Sequence, residues 1–582
     1  MLFRWRKSSA RQIRRNAFFV PLLPYLMSGI LAFAACARFE NLRFAGGMFL
    51  LLGAFLFICG LTLNFLACPD GIEPAEVPGK TFRRLTFCGW AQKNLLCVCG
   101  VFFICAWYFF LRVPPNPYPD FTPREIKVSA VLDDVSHGAK NSVYGTATIV
   151  IAPEGLENLK GCKIWYSIWQ NSGALPERLV ASQTVSLDGV MKDARTGPLK
   201  SRGRGYGKSA SFERYLASRF IYFKMSCDAS GVEIIKPANY REIFYDWLNG
   251  YMRRSLAADI FGVDKESSDT YAAMLLGDKS KLTKEQKQSF SDTGTMHVFA
   301  ISGLHIGFAA ALIYALLRSA NVYWKFQPLV ALPVLYMYVC ACGGRPSAMR
   351  AFAMIAVFWI AMVSGRGIKS FGALAIAAAA ALAINPADLF DAGFVLSYAI
   401  VASIFLYGIP LYQFFEAGYN RRFFSFEPTR FQIFCKRAFS FAAGGFCISL
   451  GAAFAAAPLS AHYFSYVSTM SWLYSPVFVF GAGIVVGLGF AGFLLPNFLA
   501  AFLNWVACSI VGWMSAFAVW GAKNYATAVK VSVPGMGAAA LSLAAYLVLS
   551  GLMDNRNPLL RFVLPPSLSL AILSAASIFQ NG

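Results

Sequence analysis

Long apolar runs dominate the chain and are separated by short polar loops, except for one polar interval from about residue 113 to residue 290. A helix needs about 17 to 25 apolar residues to cross roughly 30 Å of hydrocarbon. Windows of that kind fall at 17–36, 45–66 and 94–112 before the interval. After it they fall at 296–318, 326–343, 346–364, 370–384, 392–414, 438–458, 472–495, 498–520, 534–553 and 560–578. The pattern predicts about thirteen spans, the Gly- and Ala-rich window 370–384 being the least marked of them.

Inside the polar interval the period changes. Alternating or β-branched runs at Glu125–Leu132, Val143–Ile151, Cys162–Ile168, Leu179–Leu187, Phe220–Met225 and Gly231–Ile235 are punctuated by Gly, Asn, Asp and Pro, the signature of short strands. Five or six strands in about 120 residues suit a small OB-type barrel, and a plain sandwich fits almost as well. From Tyr240 to Ser291 the chain is too polar to span. Ile243, Phe244, Trp247, Leu248 and Tyr251 recur at helical spacing beside Arg253 and Arg254, which suits an amphipathic helix on the outer leaflet or a helix packed on the β domain. The expected organisation is a three-span membrane segment (1–112), an exported β-rich OB-like domain (113–239), an amphipathic helical region at the outer membrane face (240–291) and a transmembrane bundle of about ten spans (292–582).

Composition excludes a soluble globular chain: 57% of residues are hydrophobic and only 14% charged, and the mean hydropathy is +0.51. The fold class is a polytopic α-helical membrane protein. Lysines and arginines in short loops stay on the cytoplasmic side. Arg4, Arg6, Lys7, Arg11, Arg14 and Arg15 therefore put the N-terminus in the cytoplasm, and Lys80, Arg83, Arg84 and Lys93 send the third span outward. Residues 113–290 are then exported, and the chain is a multi-pass protein of the cytoplasmic (inner) membrane. The formal charge of +22 partly reflects this same rule and does not by itself indicate a polyanion.

Of the 14 cysteines, Cys162 and Cys227 fall in the exported domain, where a disulfide is permitted. A bridge between them is expected, two buried free thiols being the other reading. No CxxC pair or neighbouring histidine supports a metal site, and no cofactor is expected.

Candidate chemistry concentrates where the chain re-enters the apolar region. His297-Val-Phe-Ala-Ile-Ser302-Gly303-Leu-His305-Ile-Gly307 places two of the four histidines at the head of an apolar window. Polar groups that persist in hydrocarbon usually line a path or a site. Ser302 and His305 share a helix face and invite a nucleophile–base reading, although no orienting third group is evident. Close helix contact at Gly303 and Gly307 is the other explanation. Further on, Arg345-Pro-Ser347-Ala-Met-Arg350-Ala351 sets two arginines beside a helix-breaking proline, and Asp391-Ala-Gly393-Phe-Val-Leu-Ser397 opens another window. Guanidinium groups and freed backbone N–H groups together favour phosphate. In the exported domain, Lys200, Arg202, Arg204 and Lys208 surround Tyr206 on a Gly-rich loop, a composition suited either to nucleic-acid contact or to simple solvation.

Leu276-Gly-Asp-Lys-Ser280, Ser302-Gly-Leu-His305, Arg345-x-Ser347-x-x-Arg350-Ala351 and Gly393-Phe-x-Leu-Ser397, in that order, resemble the ComEC-type competence membrane proteins. The resemblance covers most of the chain. It implies an N-terminal OB-like module, a competence helical bundle and the function of an inner-membrane channel for uptake of single-stranded DNA during natural transformation. It nominates His297, Ser302, Gly303, His305, Arg345, Ser347, Arg350, Asp391 and Ser397 as path-lining or structurally critical residues. A surface DNA receptor, a separate nuclease and a cytoplasmic motor or strand-binding proteins are the partners it implies, besides single-stranded DNA and membrane lipids. Many members end in a metallo-β-lactamase-like domain with an HxHxDH motif, and no such motif occurs here, so the expectation is a transport channel and not an enzyme. No Gly-x-x-x-x-Gly-Lys-Ser/Thr segment supplies a nucleotide site. The alternatives are a transporter or assembly factor for another polyanionic or lipid-linked substrate, and an intramembrane hydrolase using Ser302 and His305.

Overall fold

Alternation of buried and exposed positions in the polar interval closes a small barrel. The structure, a computed structural model, describes residues 28–32, 52, 99, 101–112 and most of 116–581; the longest intervals outside the described residues are 1–27, 33–51, 53–98, 170–178 and 195–211. Five long strands, β1 (Arg124–Leu132), β2 (Ser142–Ile151), β3 (Lys163–Trp169), β4 (Thr184–Asp193) and β5 (Phe223–Lys236), and the two-residue strand Ser136–His137 form one six-stranded sheet. The long strands run in the order β1-β4-β5-β3-β2, with Ser136–His137 paired to β2, and β1 pairs with β2 as well as with β4, so the sheet closes on itself. The β3–β5 pair is parallel and the others antiparallel. Val128, Ala130, Ala147, Ile149, Ile164, Ile168, Leu187 and Phe223 point inward and are almost fully buried, as the period of two requires. The two expected strands at 220–225 and 231–235 are one long strand, β5, bent by a register shift opposite Leu187 and Gly189.

The expected bridge between Cys162 and Cys227 is not formed. Both thiols are free and buried. In the parallel β3–β5 register Cys227 lies opposite Ile168, six positions along from Cys162, which at roughly 3.3 Å per residue is about 20 Å and far beyond disulfide reach. The spacing of two cysteines in sequence carries no information about register. The loop bearing Lys200, Arg202, Arg204, Tyr206 and Lys208 lies outside the described residues, as does most of the first two expected spans.

Two compact units divide the chain, Met1–Pro117 with Ala378–Phe390, and Tyr118–Ala377 with Asp391–Gly582. In the first, helix α1 (Val101–Arg112) carries Tyr108, which donates to the Ala383 carbonyl, and Phe109, whose ring meets Phe390 edge-on at 6.3 Å. The second holds the barrel and most of the helices. These are α2 (Tyr240–Leu256), α3 (Lys265–Leu276), α4 (Lys284–Asp292), α5 (Gly303–Ser319), α6 (Gln327–Ala341), α7 (Pro346–Val363) and α8 (Ser370–Ile384), the last shared between the units. They continue with α9 (Ala392–Ser403), α10 (Ile409–Phe423), α11 (Arg430–Phe464), α12 (Ser471–Gly492), α13 (Asn497–Asn524) and α14 (Met536–Leu552), and then Pro558–Phe562 and α15 (Leu564–Asn581). The window 560–578 is thus split, with Pro565 and Pro566 in the first turn of α15, where a missing N–H costs nothing.

Among the described residues four helices are long and apolar enough to cross a membrane, at 392–423, 430–464, 471–492 and 497–524, and seven shorter apolar helices accompany them. The first of the four joins α9 to α10 through a π-helical segment, Ile404–Gly408. Gly408 there touches Gly451 of α11 closely enough that a Cβ on either would meet backbone at 3.2–3.3 Å, the small-residue contact that lets apolar helices approach. Ser403 donates to the Gly451 carbonyl at 2.6 Å and lies 2.8 Å from the Tyr546 hydroxyl. Among the described residues the region 240–291 holds three α-helices, α2, α3 and α4. In α3, Tyr271, Met274 and Leu275 are wholly buried in the core of the bundle. In α2, one face holds buried Met252 and Leu256 while Tyr240, Ile243, Phe244, Trp247 and Tyr251 remain exposed.

Where the barrel wall turns at Gly145, an added methyl group would lie 1.9 Å from the Asp134 carbonyl oxygen, which the Tyr166 hydroxyl already holds at 2.9 Å. Gly145→Ala is expected to cost about 3 kcal/mol through overpacking, read as a lowered thermal midpoint of the purified full-length chain. Gly250→Ala, on an open face of α2, serves as the control and should raise the midpoint slightly.

Candidate functional site

Helix α3 ends at Gly277, whose left-handed backbone (φ 73°) forms the C-cap and is a conformation that favours glycine. The last carbonyls of a helix have no partner within it, and here they are buried. The bundle supplies the donors: His305 Nε2 lies 2.9 Å from the Met274 carbonyl, and the Tyr338 hydroxyl donates to Leu275 at 3.1 Å. A carbonyl only accepts, so Nε2 carries the imidazole proton and Nδ1 is the acceptor. Nδ1 takes the Ser302 backbone N–H at 3.2 Å while Ser302 Oγ takes the Leu304 N–H at 3.2 Å. Ser302 and His305 are thereby a capping box at the start of α5. The histidine is 1% exposed; Nε2 ties α5 to α3, and Nδ1, which also lies 3.1 Å from Ser302 Oγ, closes the cap of α5 itself. This arrangement, not helix spacing alone, explains why serine and histidine stand three residues apart.

Two more helices begin beside α5. Pro346 opens α7, and Ser347 Oγ donates to the Ile301 carbonyl at 2.7 Å, holding the extended residues that precede α5. Gly303 and Ala351 face each other, a Cβ on the glycine lying 3.9 Å from that of the alanine. Arg350, one turn into α7, is 6% exposed. Its guanidinium donates to the Gly393 carbonyl at 3.3 Å and the Ser347 carbonyl at 3.4 Å, and its carbon centre lies 4.9 Å from the centre of the Tyr398 ring. Gly393 and Tyr398 belong to α9, whose N-cap is Asp391. Asp391 Oδ1 accepts the N–H groups of Gly393 and Phe394 at 2.8 and 3.2 Å. Three helix starts, each with its positive dipole end, therefore meet at one place.

Cations gather at the same place. Lys279 lies just past the end of α3, and burial together with Arg345 pushes its ammonium down to about 8. Arg345 occupies the N-cap position of α7 without a side-chain cap and passes over Gly277, where a Cβ would sit 3.7 Å from its Nε. From the barrel, Arg219 reaches Asp391 Oδ2 with Nε at 2.9 Å and Nη2 at 2.8 Å.

The structure thus brings together Ser302, Gly303, His305, Arg345, Ser347, Arg350 and Asp391 from the sequence-derived set. His297 stands ahead of α5 on the turn Met296–Phe299, with Nδ1 3.1 Å from the Gly294 carbonyl. Ser397 lies half-buried one turn further along α9. Tyr398 and Lys279 belong to segments singled out by sequence but were not nominated, and Arg219 belongs to no motif. Among the described residues no group of three or more His, Cys, Asp or Glu side chains could hold a metal ion.

Residues 274–555, which contain all three helix starts, match the family model described as "Competence protein". The chain carries a ComEC-type competence domain. It is 29% identical over 141 residues to "ComE operon protein 3" of Bacillus subtilis (strain 168), and 31% identical over 147 residues to "Uncharacterized protein YcaI" of Escherichia coli (strain K12). Each match takes in 24% of this chain, and they span 18% and 19% of those relatives' own lengths. No solved structure matches. Within the matched region, Ser302–His305, Arg345–Ala351 and Gly393–Ser397 lie at helix starts, and Leu276–Ser280 lies at the end of α3.

If Ser302 and His305 serve as a cap, their losses differ in kind. Ser302→Ala should cost about 1 kcal/mol, the usual worth of an N-cap. His305→Ala, which strands the buried Met274 carbonyl, should cost about 2–3 kcal/mol or more. Thermal unfolding of the purified variants checks this order, and equal losses would contradict it.

Proposed function

We propose that this chain is an inner-membrane conduit for single-stranded DNA during natural transformation, with the three helix starts at its outer mouth. The observation that carries this reading is Arg350. A buried cation is expensive unless paired, yet among the described residues Arg350 forms no ion pair and rests on two carbonyls and a ring. A guanidinium so held keeps donors for a passing phosphate and does not trap it, the weak multi-site binding that conduction requires. Arg345 and Lys279 add positive charge where three helix dipoles already favour an anion.

Two other features support the reading. The barrel's closed order with one parallel pair agrees with an OB-type module, a fold that receives oligonucleotides. In α2, Phe244, Trp247 and Tyr251 stack at 5.8 and 6.1 Å and stay exposed while Asn249 anchors the helix to the Ala341 carbonyl at 2.7 Å. We read this row as an aromatic belt at the outer leaflet, with residues 113–290 exported. The polyanion or lipid-linked alternatives would use the same mouth, and DNA uptake separates them. Ser302 Oγ lies 3.1 Å from His305 Nδ1, and we read the pair as a cap in preference to a nucleophile and its base because Oγ also accepts the Leu304 N–H.

Arg350→Ala, at wild-type membrane levels, should lower uptake of labelled DNA at least tenfold, with Arg350→Lys recovering part of it because charge returns without the planar fork. Uptake at the wild-type rate in Arg350→Ala would refute the assigned path. A second check uses pH. Lys279 is charged below about 8 and neutral above it, so oligonucleotide affinity of the purified protein should fall as pH rises from 7 to 9. Lys279→Arg should flatten that fall.

A further inference from the structure

One ion pair at the mouth has a division of labour within a single carboxylate. Asp391 uses Oδ1 to cap α9 and Oδ2 to receive Arg219. Loss of Arg219 therefore leaves the cap intact. The arginine side chain is 34% exposed, against 8% for the aspartate, and only two of its five N–H donors point at Oδ2. Burial lowers its proton affinity, but Tyr215 and Asp391 more than offset that and hold the charge on. Behind it runs a row of rings along the outer face of the barrel. Arg219 lies 4.7 Å over the Tyr215 ring, Tyr215 stacks on Phe212 at 6.1 Å, and Phe212 meets Trp165 at 5.1 Å. Trp165 stacks on Tyr144 at 5.6 Å, and Lys224 lies 5.2 Å over Phe212. Trp165, Phe212 and Tyr215 are only partly buried. Rings alternating with cations are what a single-stranded nucleic acid uses, bases on rings and phosphates on cations.

We propose that Arg219 is an exchangeable bolt and the first phosphate ligand of the mouth. Without a strand it ties the barrel to the start of α9 through Asp391 Oδ2. When a strand lies along the ring row, a phosphate displaces that oxygen, since phosphate and carboxylate accept the same guanidinium fork. The barrel is then freed from the bundle as the strand is handed to Arg345 and Arg350. This rests on the conduit reading and adds to it the residue at which the strand crosses from barrel to bundle.

The test is fluorescence anisotropy of labelled oligothymidylate with the purified full-length protein. Asp391→Asn keeps a capping oxygen but removes the charge that competes for Arg219. It should bind several-fold tighter, Arg219→Ala at least tenfold weaker, and Arg219→Lys between wild type and Arg219→Ala. In the Arg219→Ala background, Asp391→Asn should bring no gain. The opposite signs of the two single variants and the vanished gain support exchange. If both single variants weaken binding, or if the gain persists without Arg219, the pair is only a strut or Asp391 only repels, and the exchange is wrong while the conduit reading stands. If the wild-type protein does not bind oligothymidylate at all, the conduit reading falls and the exchange with it.

Discussion

A helix that begins inside an apolar bundle exposes backbone N–H groups that nothing in hydrocarbon can satisfy. In this chain α5, α7 and α9 begin together, and the polar side chains gathered there are arranged around that constraint. Ser302 and His305 answer it for α5, the proline at the head of α7 removes one donor, and Asp391 answers it for α9. The converse problem, the buried carbonyls at the end of α3, is solved by the same histidine together with Tyr338. The side chains that make the helix starts tolerable are the ones that a motif search finds.

That coincidence explains what was readable in the sequence. The windows 326–343, 346–364 and 370–384 correspond to helices at 327–341, 346–363 and 370–384, because an uninterrupted apolar run bounded by Gly, Pro or charge leaves little choice of ends. The strands β1, β2 and β3 fall within a residue of their alternating patterns. The window 296–318 fared differently: its helix begins only at Gly303, since the capping box needs Ser302 in extended backbone. Hydropathy is blind to that requirement.

The rest was hidden for a different reason. Arg219 and Asp391 are 172 positions apart, and nothing local marks the arginine as a partner of the bundle. The burial of α3 was equally silent, since its charged and polar first turns, Lys265 to Asp269, conceal a C-terminal half that is entirely core. The free thiols of Cys162 and Cys227 depend on strand register, which is settled by closure of the whole barrel and not by either cysteine. Pairwise contacts across separate elements are what a single sequence does not print.

The π segment at Ile404–Gly408 has a consequence for how the bundle is wired. An α-helix turns about 100° per residue, and a π turn holds one residue more than an α turn, so side chains beyond it are out of phase with those before it. The continuous helix from Ala392 to Phe423 therefore behaves as two faces on one rod. Tyr398 on the near side lies against Arg350, while on the far side Phe414 meets Phe562. Tyr407, inside the offset itself, donates to the Phe562 carbonyl. A straight α-helix of the same length would carry one azimuth from end to end. The offset gives a single helix two addresses, one half packed against Arg350 and the other against Phe562.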